Sequence, residues 1–278
     1  MHLIDGTALA AGMRAELKET ITQSGISPRL EILLVGNNAA SHLYVKLKKK
    51  AADEVGVAVT VHAYPATATE QELSDLITTW NRDPAVDGIL VQVPLPSGFD
   101  QDRILQTIDP IKDVDGFHPK NVELLQSGSP SVIPPVHLGI LRLINETPLK
   151  LSGAQAVILA NSDTFSAPLQ RLLTTAGISV AVMSPDDLDR DLLAMADLVI
   201  VAIGRQEFLH ASMTKDDAVI IDVGTNKTAE GKVRGDVDRA SFETTDAWLT
   251  PVPGGVGPLT IAELLRNIVE IAQTKKRP

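Results

Sequence analysis

The sequence contains no cysteine and few aromatic residues. Without cysteine the chain can form no disulfide, zinc–thiolate centre or iron–sulfur cluster, and it has no cysteine nucleophile. Aromatic residues make up 3% of the 278 positions, so the core must be aliphatic. The hydrophobic share of 44% is enough for one large domain or two medium ones.

Positively charged residues are also outnumbered by negatively charged ones. Lys and Arg number 25 against 35 Asp and Glu, which gives a net charge of −10. A chain this acidic is a poor binder of polyanions, so we expect neither nucleic acid nor an anionic membrane as a partner. No apolar run approaches the roughly 18–20 residues that span a bilayer. The first 13 residues include Asp5 and lack a basic start, so we expect no signal peptide and a cytoplasmic location.

Three common site signatures are missing as well. The sequence has no G-x-x-x-x-G-K-[ST] phosphate loop, no H-E-x-x-H zinc motif and no G-x-S-x-G nucleophile elbow. Its six histidines form no pair at helical ligand spacing. We therefore expect no metal site.

What the sequence does contain is an alternation of short β-branched runs with longer amphipathic stretches, which is typical of parallel sheets covered by helices. The first alternation has predicted strands at residues 30–36, 57–64 and 87–93, with helices at 41–55 and 70–81. Residues 110–135 are rich in Pro, Gly, Ser and Asp and are interpreted as a loop and crossover. The second alternation has predicted strands at 154–160, 179–184, 197–203 and 218–223, and helices at 136–145, 167–176, 188–195 and 258–273. The predicted fold is α/β with two α/β units.

Tyr44 and Lys48 stand four residues apart on a predicted helix and therefore share one face. A phenol can position a polar substrate, and an ammonium group in a desolvated site can release a proton. Taken alone, however, such a pair is more often part of a solvated helix face. Lys46, Lys49 and Lys50 around it favour that bland interpretation.

Two further candidates follow predicted strands. Gln92 lies at the end of the run 89–93, and carboxyl ends of parallel strands line the ligand crevice of open α/β sheets. Its amide either faces a ligand or a catalytic lysine, or simply caps the strand. Asp113 and Asp115 lie in an Asp-Gly loop that is typical of a turn. A carboxylate there could also accept two parallel N–H bonds from an aminopyrimidine-like edge.

Four stretches resemble those of one family, the bifunctional methylenetetrahydrofolate dehydrogenase/methenyltetrahydrofolate cyclohydrolases. They are residues 35–50 (VGNNAASHLYVKLKKK), 87–96 (DGILVQVPLP), 110–116 (PIKDVDG) and 250–260 (TPVPGGVGPLT), with shorter matches at 222–224 (DVG) and 235–237 (GDV). The resemblance covers nearly the whole chain in register. It implies a folate-site catalytic domain formed by residues 1–135 plus 253–278, completed by the C-terminal helix. It also implies a Rossmann-type dinucleotide-binding domain at 136–252, and a homodimer.

Carried over position by position, the resemblance assigns roles to residues of this chain. Tyr44 and Lys48 match the family's catalytic pair, and Gln92 matches the glutamine that hydrogen-bonds the lysine. Asp115 matches the aspartate that holds the pterin ring. The other implied site residues are Ser41, Pro251, Gly254 and Gly255 at the folate cleft and Ser162 at the cofactor.

The departures from the family lie on the cofactor side. The family usually has Gly-Arg-Ser-x-x-Val-Gly-x-Pro where residues 160–168 read ANSDTFSAP, so only Ser162 and Pro168 remain and the turn has no glycine. The missing arginine, replaced by Asn161, is the one expected to bind the 2′-phosphate of NADP. The family's Pro-Cys-Thr-Pro reads PPVH at residues 134–137.

The family's His-Ser-x-Thr after the second Rossmann strand is replaced by residues 184–187 (SPDD). Asp186 and Asp187 would repel a 2′-phosphate and could accept a ribose 2′-hydroxyl, which favours NAD over NADP as the cofactor.

The activity implied by the resemblance belongs to one-carbon metabolism and serves purine biosynthesis. It is oxidation of 5,10-methylenetetrahydrofolate to the 5,10-methenyl form with NAD or NADP, followed by hydrolysis to 10-formyltetrahydrofolate. Two alternatives stay open. One is a cyclohydrolase with weak or lost dehydrogenase activity, because the folate side is intact and the cofactor side is not. The other is a noncatalytic folate-binding paralogue, against which the retained catalytic residues weigh.

Overall fold

A computed structural model describes residues 1–276 of the chain, which divide into two compact units. Unit 1 comprises Met1–Ala10 and Val136–Thr260, and unit 2 comprises Ala11–Pro135 and the chain from Ile261 onward. The α-helices are α1 (Gly6–Ser24), α2 (Ala39–Val55), α3 (Glu70–Arg82), α4 (Gln101–Leu105), α5 (Pro119–Ser127), α6 (Pro135–Asn145), α7 (Asp163–Thr175), α8 (Arg190–Met195) and α9 (Val256–Lys276). The strands are β1 (His2–Leu3), β2 (Arg29–Val35), β3 (Ala58–Tyr64), β4 (Gly88–Val91), β5 (Gln155–Ala160), β6 (Ser179–Met183), β7 (Leu198–Ala202), β8 (Val219–Asp222), β9 (Asn226–Lys227), β10 (Val233–Arg234) and β11 (Trp248–Leu249).

Unit 2 contains a parallel three-stranded sheet in the order β3-β2-β4. Its central strand β2 reads RLEILLV because both of its faces are covered and buried parallel strands need apolar residues on each side. Leu30, Ile32 and Leu34 face one core, whereas Leu33 and Val35 face another, as the two-residue repeat of a strand requires.

The C-terminal helix α9 completes the first of these two cores. Leu264, Leu265 and Ile268 are fully buried in it with Leu30 of β2. Asn267 Nδ2 also donates to the carbonyls of Val114 and Ile133, at 3.1 Å each. The predicted return of the last helix to the first α/β unit is therefore confirmed.

Unit 1 contains a parallel six-stranded sheet in the order β1-β11-β8-β7-β5-β6. The chain leaves β5 for β6 on one side and then returns to β7 on the other. The carboxyl ends of β5 and β7 therefore form a topological switch point, where open α/β sheets bind their ligands. A two-stranded antiparallel hairpin, β9–β10, follows β8.

The boundaries of the two units differ from the domain boundaries expected from the sequence. Residues 1–10 and 253–260 belong to unit 1 because β1 pairs in parallel with β11, with Leu3 opposite Leu249. Gly6 also packs directly on the Gly255 carbonyl, and a β carbon at Gly6 would lie 2.0 Å from that oxygen.

The predicted secondary structure missed several elements, including the short helix α4 and the short strands β1, β9, β10 and β11. Helix α1 was not foreseen, and the segment interpreted as a loop at 110–135 contains α5. Strand β4 ends at Val91, so Gln92 lies one residue beyond it, although its backbone N–H still donates to Leu33 O at 2.9 Å. Among the described residues, no helix combines the length and the apolar character needed to cross a membrane.

Candidate active site

Helix α2 places Lys48 in the interior of unit 2. The helix starts after Asn38, whose Oδ1 accepts hydrogen bonds from the N–H groups of Ala40 and Ser41. Its buried residues recur every three or four positions, and Lys48 lies on that face together with Val45 and Ala52. Lys48 is only 8% exposed. The solvated-face interpretation of the sequence is therefore wrong for Lys48.

Gln92 holds the buried amine. Lys48 Nζ donates to Gln92 Oε1 at 3.2 Å, across 44 positions of the chain. The Gln92 Nε2 group donates to Val93 O at 2.8 Å, so the amide is fixed with its oxygen toward the lysine. Gln92 itself is 8% exposed. This pair is the contact that the resemblance implied.

The two aspartates of the 110–116 loop have different surroundings. Asp113 performs the turn role, because its carboxylate accepts hydrogen bonds from the N–H groups of Gly116 and His118 and from Asn121 Nδ2. Asp115 makes none of these bonds. Burial of its carboxyl group raises the pKa of Asp115, the charge of Asp113 adds to the rise, and the nearby Lys48 ammonium opposes it. Asp115 therefore lies in the electrostatic field of the catalytic candidate.

The remaining candidates of α2 lie on the N-terminal side of Lys48. Tyr44 is half-buried, one turn before the lysine. Ser41 is 3% exposed, and its Oγ has no hydrogen-bond partner among the described residues. A buried hydroxyl in this state is a suitable partner for a polar group of a substrate.

In unit 1, the glycine-rich segment that follows β11 is tightly built. Gly254 has a φ of +116°, which favours glycine, and its carbonyl accepts a hydrogen bond from Thr7 Oγ1 at 3.3 Å. A β carbon at Gly255 would lie 2.8 Å from Pro251 O. The backbone at Pro251, Gly254 and Gly255 is thus fixed, and their contact with folate stays a prediction.

The turn between β5 and α7 lies at the switch point of the unit 1 sheet. Ser162 is the N-cap residue of α7, but its side chain makes no capping hydrogen bond. The first-turn N–H groups of α7 are thus left without this cap at the place where a dinucleotide pyrophosphate meets a helix N-terminus. Asn161 Nδ2 donates to Ile203 O at 2.6 Å, linking the end of β5 to the end of β7. The turn therefore presents a helix N-terminus without a side-chain cap, while the Asn161 side chain is committed to the protein.

A buried histidine ring packs against a half-buried phenylalanine ring in the first turn of α7. His137 and Phe165 have ring centroids 5.1 Å apart, and both replace smaller residues of the family pattern. Burial lowers the pKa of His137 to about 3, a shift that a hydrogen bond with the Phe165 backbone opposes. The two rings pack next to the β5–α7 turn, where this chain departs from the family pattern. Because its pKa is low, the imidazole is neutral.

A buried carboxylate pair fixes the carboxyl ends of β7 and β8. Asp236 Oδ2 accepts the N–H groups of Ile203 and Gly204, at 2.7 and 3.0 Å. Asp222 accepts the N–H groups of Gly224, Asp236 and Val237. This network was missed by the sequence reasoning, although both aspartates belong to the DVG and GDV matches.

Desolvation dominates the ionisation of this pair. Burial raises the pKa of Asp222 to about 7, and the charge of Asp236 adds to the rise. The backbone N–H bonds to Asp222 oppose it. The glycines of both motifs are required by packing, because a β carbon at Gly235 would lie 1.8 Å from Asp222 Oδ2, and one at Gly224 would lie 2.2 Å from the Asp236 carboxyl carbon.

Comparison with known proteins gives one consistent result. Residues 4–115 match the family model described as tetrahydrofolate dehydrogenase/cyclohydrolase, catalytic domain, and residues 134–276 match its NAD(P)-binding domain. The chain belongs to the tetrahydrofolate dehydrogenase/cyclohydrolase family.

Individual relatives extend this match over the full length. The bifunctional protein FolD of Campylobacter curvus is 40% identical, over 100% of this chain and 98% of the relative. The crystal structure of the bifunctional enzyme FolD from Campylobacter jejuni has a TM-score of 0.94 and 42% identity, and covers 99% of each chain. The Trypanosoma brucei FolD structure, complexed with NADP cofactor and inhibitor, has a TM-score of 0.93 and 30% identity, over 99% of this chain and 98% of that one.

Membership of the tetrahydrofolate dehydrogenase/cyclohydrolase family confirms the resemblance drawn from the sequence, together with the two-domain α/β architecture and NAD(P) as the cofactor class. The structure joins Lys48 to Gln92 directly and sets Asp115 in their electrostatic neighbourhood. The roles of these residues, and of Ser162 and Tyr44, stay predictions. The part of the chain that the structure describes holds no group of three or more His, Asp or Glu side chains suited to a metal ion.

Proposed function

We propose that this protein acts on tetrahydrofolate-bound one-carbon units in two steps. It oxidises 5,10-methylenetetrahydrofolate to the 5,10-methenyl cation with NAD(P), and it hydrolyses that cation to 10-formyltetrahydrofolate. The observation that carries the proposal is the buried Lys48–Gln92 hydrogen bond beside Asp115, in a chain that matches its family over both domains.

Asp115 is the residue that we assign to the pterin ring. Its neighbour Asp113 is occupied by the backbone of the turn, which leaves the Asp115 carboxylate to accept the parallel N–H groups of an aminopyrimidine edge. Ser41 Oγ offers a further buried polar group on the same unit.

Lys48 is the residue that we assign to proton transfer in the hydrolytic step. Water adds to the methenyl carbon and loses one proton, which leaves a hydroxyl group on that carbon. The bond from the carbon to N5 then breaks as N5 gains a proton, while the hydroxyl releases its remaining proton to solvent and becomes the formyl oxygen. The Lys48 amine is suited to accept the first proton and to deliver one to N5. Gln92 keeps the amine in one position, and Tyr44, one turn away, serves to orient the substrate.

The oxidation needs positioning more than acid–base chemistry. When bound, the nicotinamide ring accepts a hydride from the methylene carbon, and the protein must hold the two rings at near-attack distance. The residues that would hold the dinucleotide are at the switch point in unit 1, with Ser162 and the N-terminus of α7 at the pyrophosphate. The Asp222–Asp236 network keeps the neighbouring strand ends in place.

We further propose that NAD is preferred over NADP. Asn161 brings no charge to a 2′-phosphate, and its amide is already used by Ile203 O. Asp186 follows β6, the position from which an acidic side chain accepts a ribose 2′-hydroxyl in NAD-binding Rossmann folds. Loss of a charge-assisted contact costs about 1.5–3 kcal/mol, which corresponds to a discrimination of tenfold or more.

A second candidate function is cyclohydrolase activity with weak or lost dehydrogenase activity. It is favoured by the β5–α7 turn, which lacks the family's glycines and carries Asp163 in the first turn of the helix. A carboxylate at this end of a helix competes with a bound phosphate for the same positive dipole end.

One set of assays tests both candidates. Methylene- and methenyl-tetrahydrofolate are supplied separately, each with NAD, with NADP and without a cofactor. We expect hydrolysis of the methenyl form in all three conditions, and oxidation of the methylene form chiefly with NAD. Hydrolysis without oxidation would establish the second candidate, and an absence of both would reject the proposal.

We also propose a homodimer. Strand β3 forms an outer edge of the unit 2 sheet and pairs only with β2 among the described strands. An edge of this kind is a natural place for a second copy to add its own strand. Light scattering on the purified chain should give about twice the monomer mass, and a monomer over the assay concentration range would reject this part of the proposal.

A further inference from the structure

We propose that Arg205 is a cofactor-specificity residue that Asp186 keeps masked. In this proposal the Arg205 guanidinium is positioned to bind a 2′-phosphate. Its ion pair with Asp186 occupies that guanidinium, and the site therefore prefers NAD to NADP. The inference rests on the proposed NAD preference and explains how the chain holds it.

The ion pair bridges three strands of the unit 1 sheet. Arg205 Nη2 lies 2.7 Å from Asp186 Oδ1. Asp186 follows β6 and Arg205 follows β7, whereas β5 lies between these two strands. Two strand spacings are roughly 10 Å, so the Arg205 side chain must extend across the carboxyl end of β5 to reach its partner. That is where the adenosine end of a dinucleotide lies in Rossmann folds.

The backbone that carries Arg205 is fixed rather than loose. The two preceding N–H groups, of Ile203 and Gly204, both donate to the buried Asp236. The Ile203 carbonyl is held by Asn161. The guanidinium carbon lies 5.8 Å from the centre of the Phe208 ring, which supports the extended side chain. The cation is therefore presented in one direction.

The pair itself is weak enough to exchange. The Arg205 and Asp186 side chains are 43% and 75% exposed, and ion pairs this open are easily replaced by another anion. In Rossmann folds the acidic residue after the second strand accepts the ribose hydroxyl of NAD, and an arginine nearby accommodates the 2′-phosphate of NADP. This chain has both groups, in contact with each other. Removing the carboxylate alone should leave an arginine ready for the phosphate.

The test uses two adenosine fragments that differ only in the 2′-phosphate, adenosine 5′-monophosphate and adenosine 2′,5′-bisphosphate. Calorimetry gives the ratio of their affinities for the full-length protein and for the variants Asp186→Asn, Arg205→Gln and the double variant. The matched control is Asp191→Asn, which removes the same charge from an exposed position in the first turn of α8, outside the Arg205 ion pair. Fragment binding needs neither folate nor turnover.

We expect the unmodified protein to favour the monophosphate. Asp186→Asn should shift the affinity ratio about tenfold or more toward the bisphosphate. In the double variant the shift should fall to the small value seen with Asp191→Asn. Arg205→Gln alone should weaken bisphosphate binding further, because it leaves the Asp186 charge uncompensated.

Two results would overturn the proposal, and they are distinguishable. A shift that persists in full in the double variant would mean that Arg205 takes no part, while the NAD preference stands. A preference for the bisphosphate in the unmodified protein would contradict the proposed NAD preference itself, and with it the masking. Failure of every protein to bind either fragment would reject the cofactor part of the proposed function.

Discussion

Among the described residues, Lys48 Nζ donates a hydrogen bond only to Gln92 Oε1, and replacing Gln92 with methionine removes this acceptor. Methionine has nearly the same length as glutamine but cannot accept the N–H. A hydrogen bond that involves a charged group contributes about 1.5–3 kcal/mol. If this stabilisation is realised in the transition state, its loss lowers kcat for methenyl hydrolysis by roughly tenfold to a hundredfold.

Lys48→Met is the companion variant, because it removes the amine itself. We expect hydrolysis to fall to the uncatalysed rate while the fold is retained, since an apolar side chain of similar length suits this buried position. The double variant should be no worse than Lys48→Met alone, because Gln92 acts only through the lysine. Lys49→Met on the same helix is the control, since Lys49 is exposed and pairs with Asp53.

The assay follows the loss of the near-ultraviolet absorbance of methenyltetrahydrofolate against the uncatalysed rate, with kcat and KM determined separately. Thermal unfolding shows whether each variant is folded. Near-normal hydrolysis by Lys48→Met would remove the lysine from the mechanism. An unchanged kcat in Gln92→Met would reduce the glutamine to a strand-capping residue.

Four other predictions concern the surroundings of single residues. Asp115→Ala should weaken binding of a folate analogue by about 1–3 kcal/mol with little loss of stability, whereas Asp113→Ala should chiefly destabilise the turn; calorimetry and urea unfolding separate the two. Because burial raises the pKa of Asp115, folate affinity should fall in mild acid as the carboxylate takes up a proton, and a flat pH profile would contradict this assignment. Gly235→Ala should lower the free energy of unfolding by about 1–3 kcal/mol or more, because its β carbon would collide with the buried Asp222 carboxylate. Gly12→Ala in α1 is the control: its β carbon would meet no atom within 4 Å, so the same unfolding measurement should show no change or a small stabilisation. His137 has a pKa of about 3 in the fold, against an ordinary value of 6.5, so between these pH values the unfolded chain binds a proton that the folded chain does not. The free energy of unfolding should therefore decrease as pH falls from 6.5 toward 3, and it should decrease less in His137→Leu. Equal changes in the free energy of unfolding for the two proteins over this pH interval would show that the imidazole is not buried in its neutral form.

The strands were the most predictable part of this fold. A run such as AQAVILA before a turn has few interpretations other than a buried parallel strand, and β5 lies there. Helix α5 was missed for the opposite reason. Pro119 at its first turn and Gly128 just past its end are the residues that delimit a helix, but in a segment rich in both types they were interpreted as loop.

The site residues that occupy recognisable positions in the sequence could be predicted. Lys48, Gln92 and Asp115 were identified through the resemblance, although spacing alone favoured a solvated helix for the first. The Arg205–Asp186 pair could not be foreseen, because it depends on β5 lying between β6 and β7. Strand order is a property of the whole sheet, and neither residue has a local pattern that reports it.

The way the two units divide the chain has a consequence for synthesis on the ribosome. Each unit is assembled from two stretches of sequence separated by the other, so neither is complete when the first 135 residues have emerged. At that stage the face of the β3-β2-β4 sheet that Leu264, Leu265 and Ile268 will cover is still bare. It stays so until the C-terminal helix is made, which exposes a hydrophobic surface throughout translation. For the same reason, a gene cut after residue 135 should yield an insoluble fragment rather than a working half.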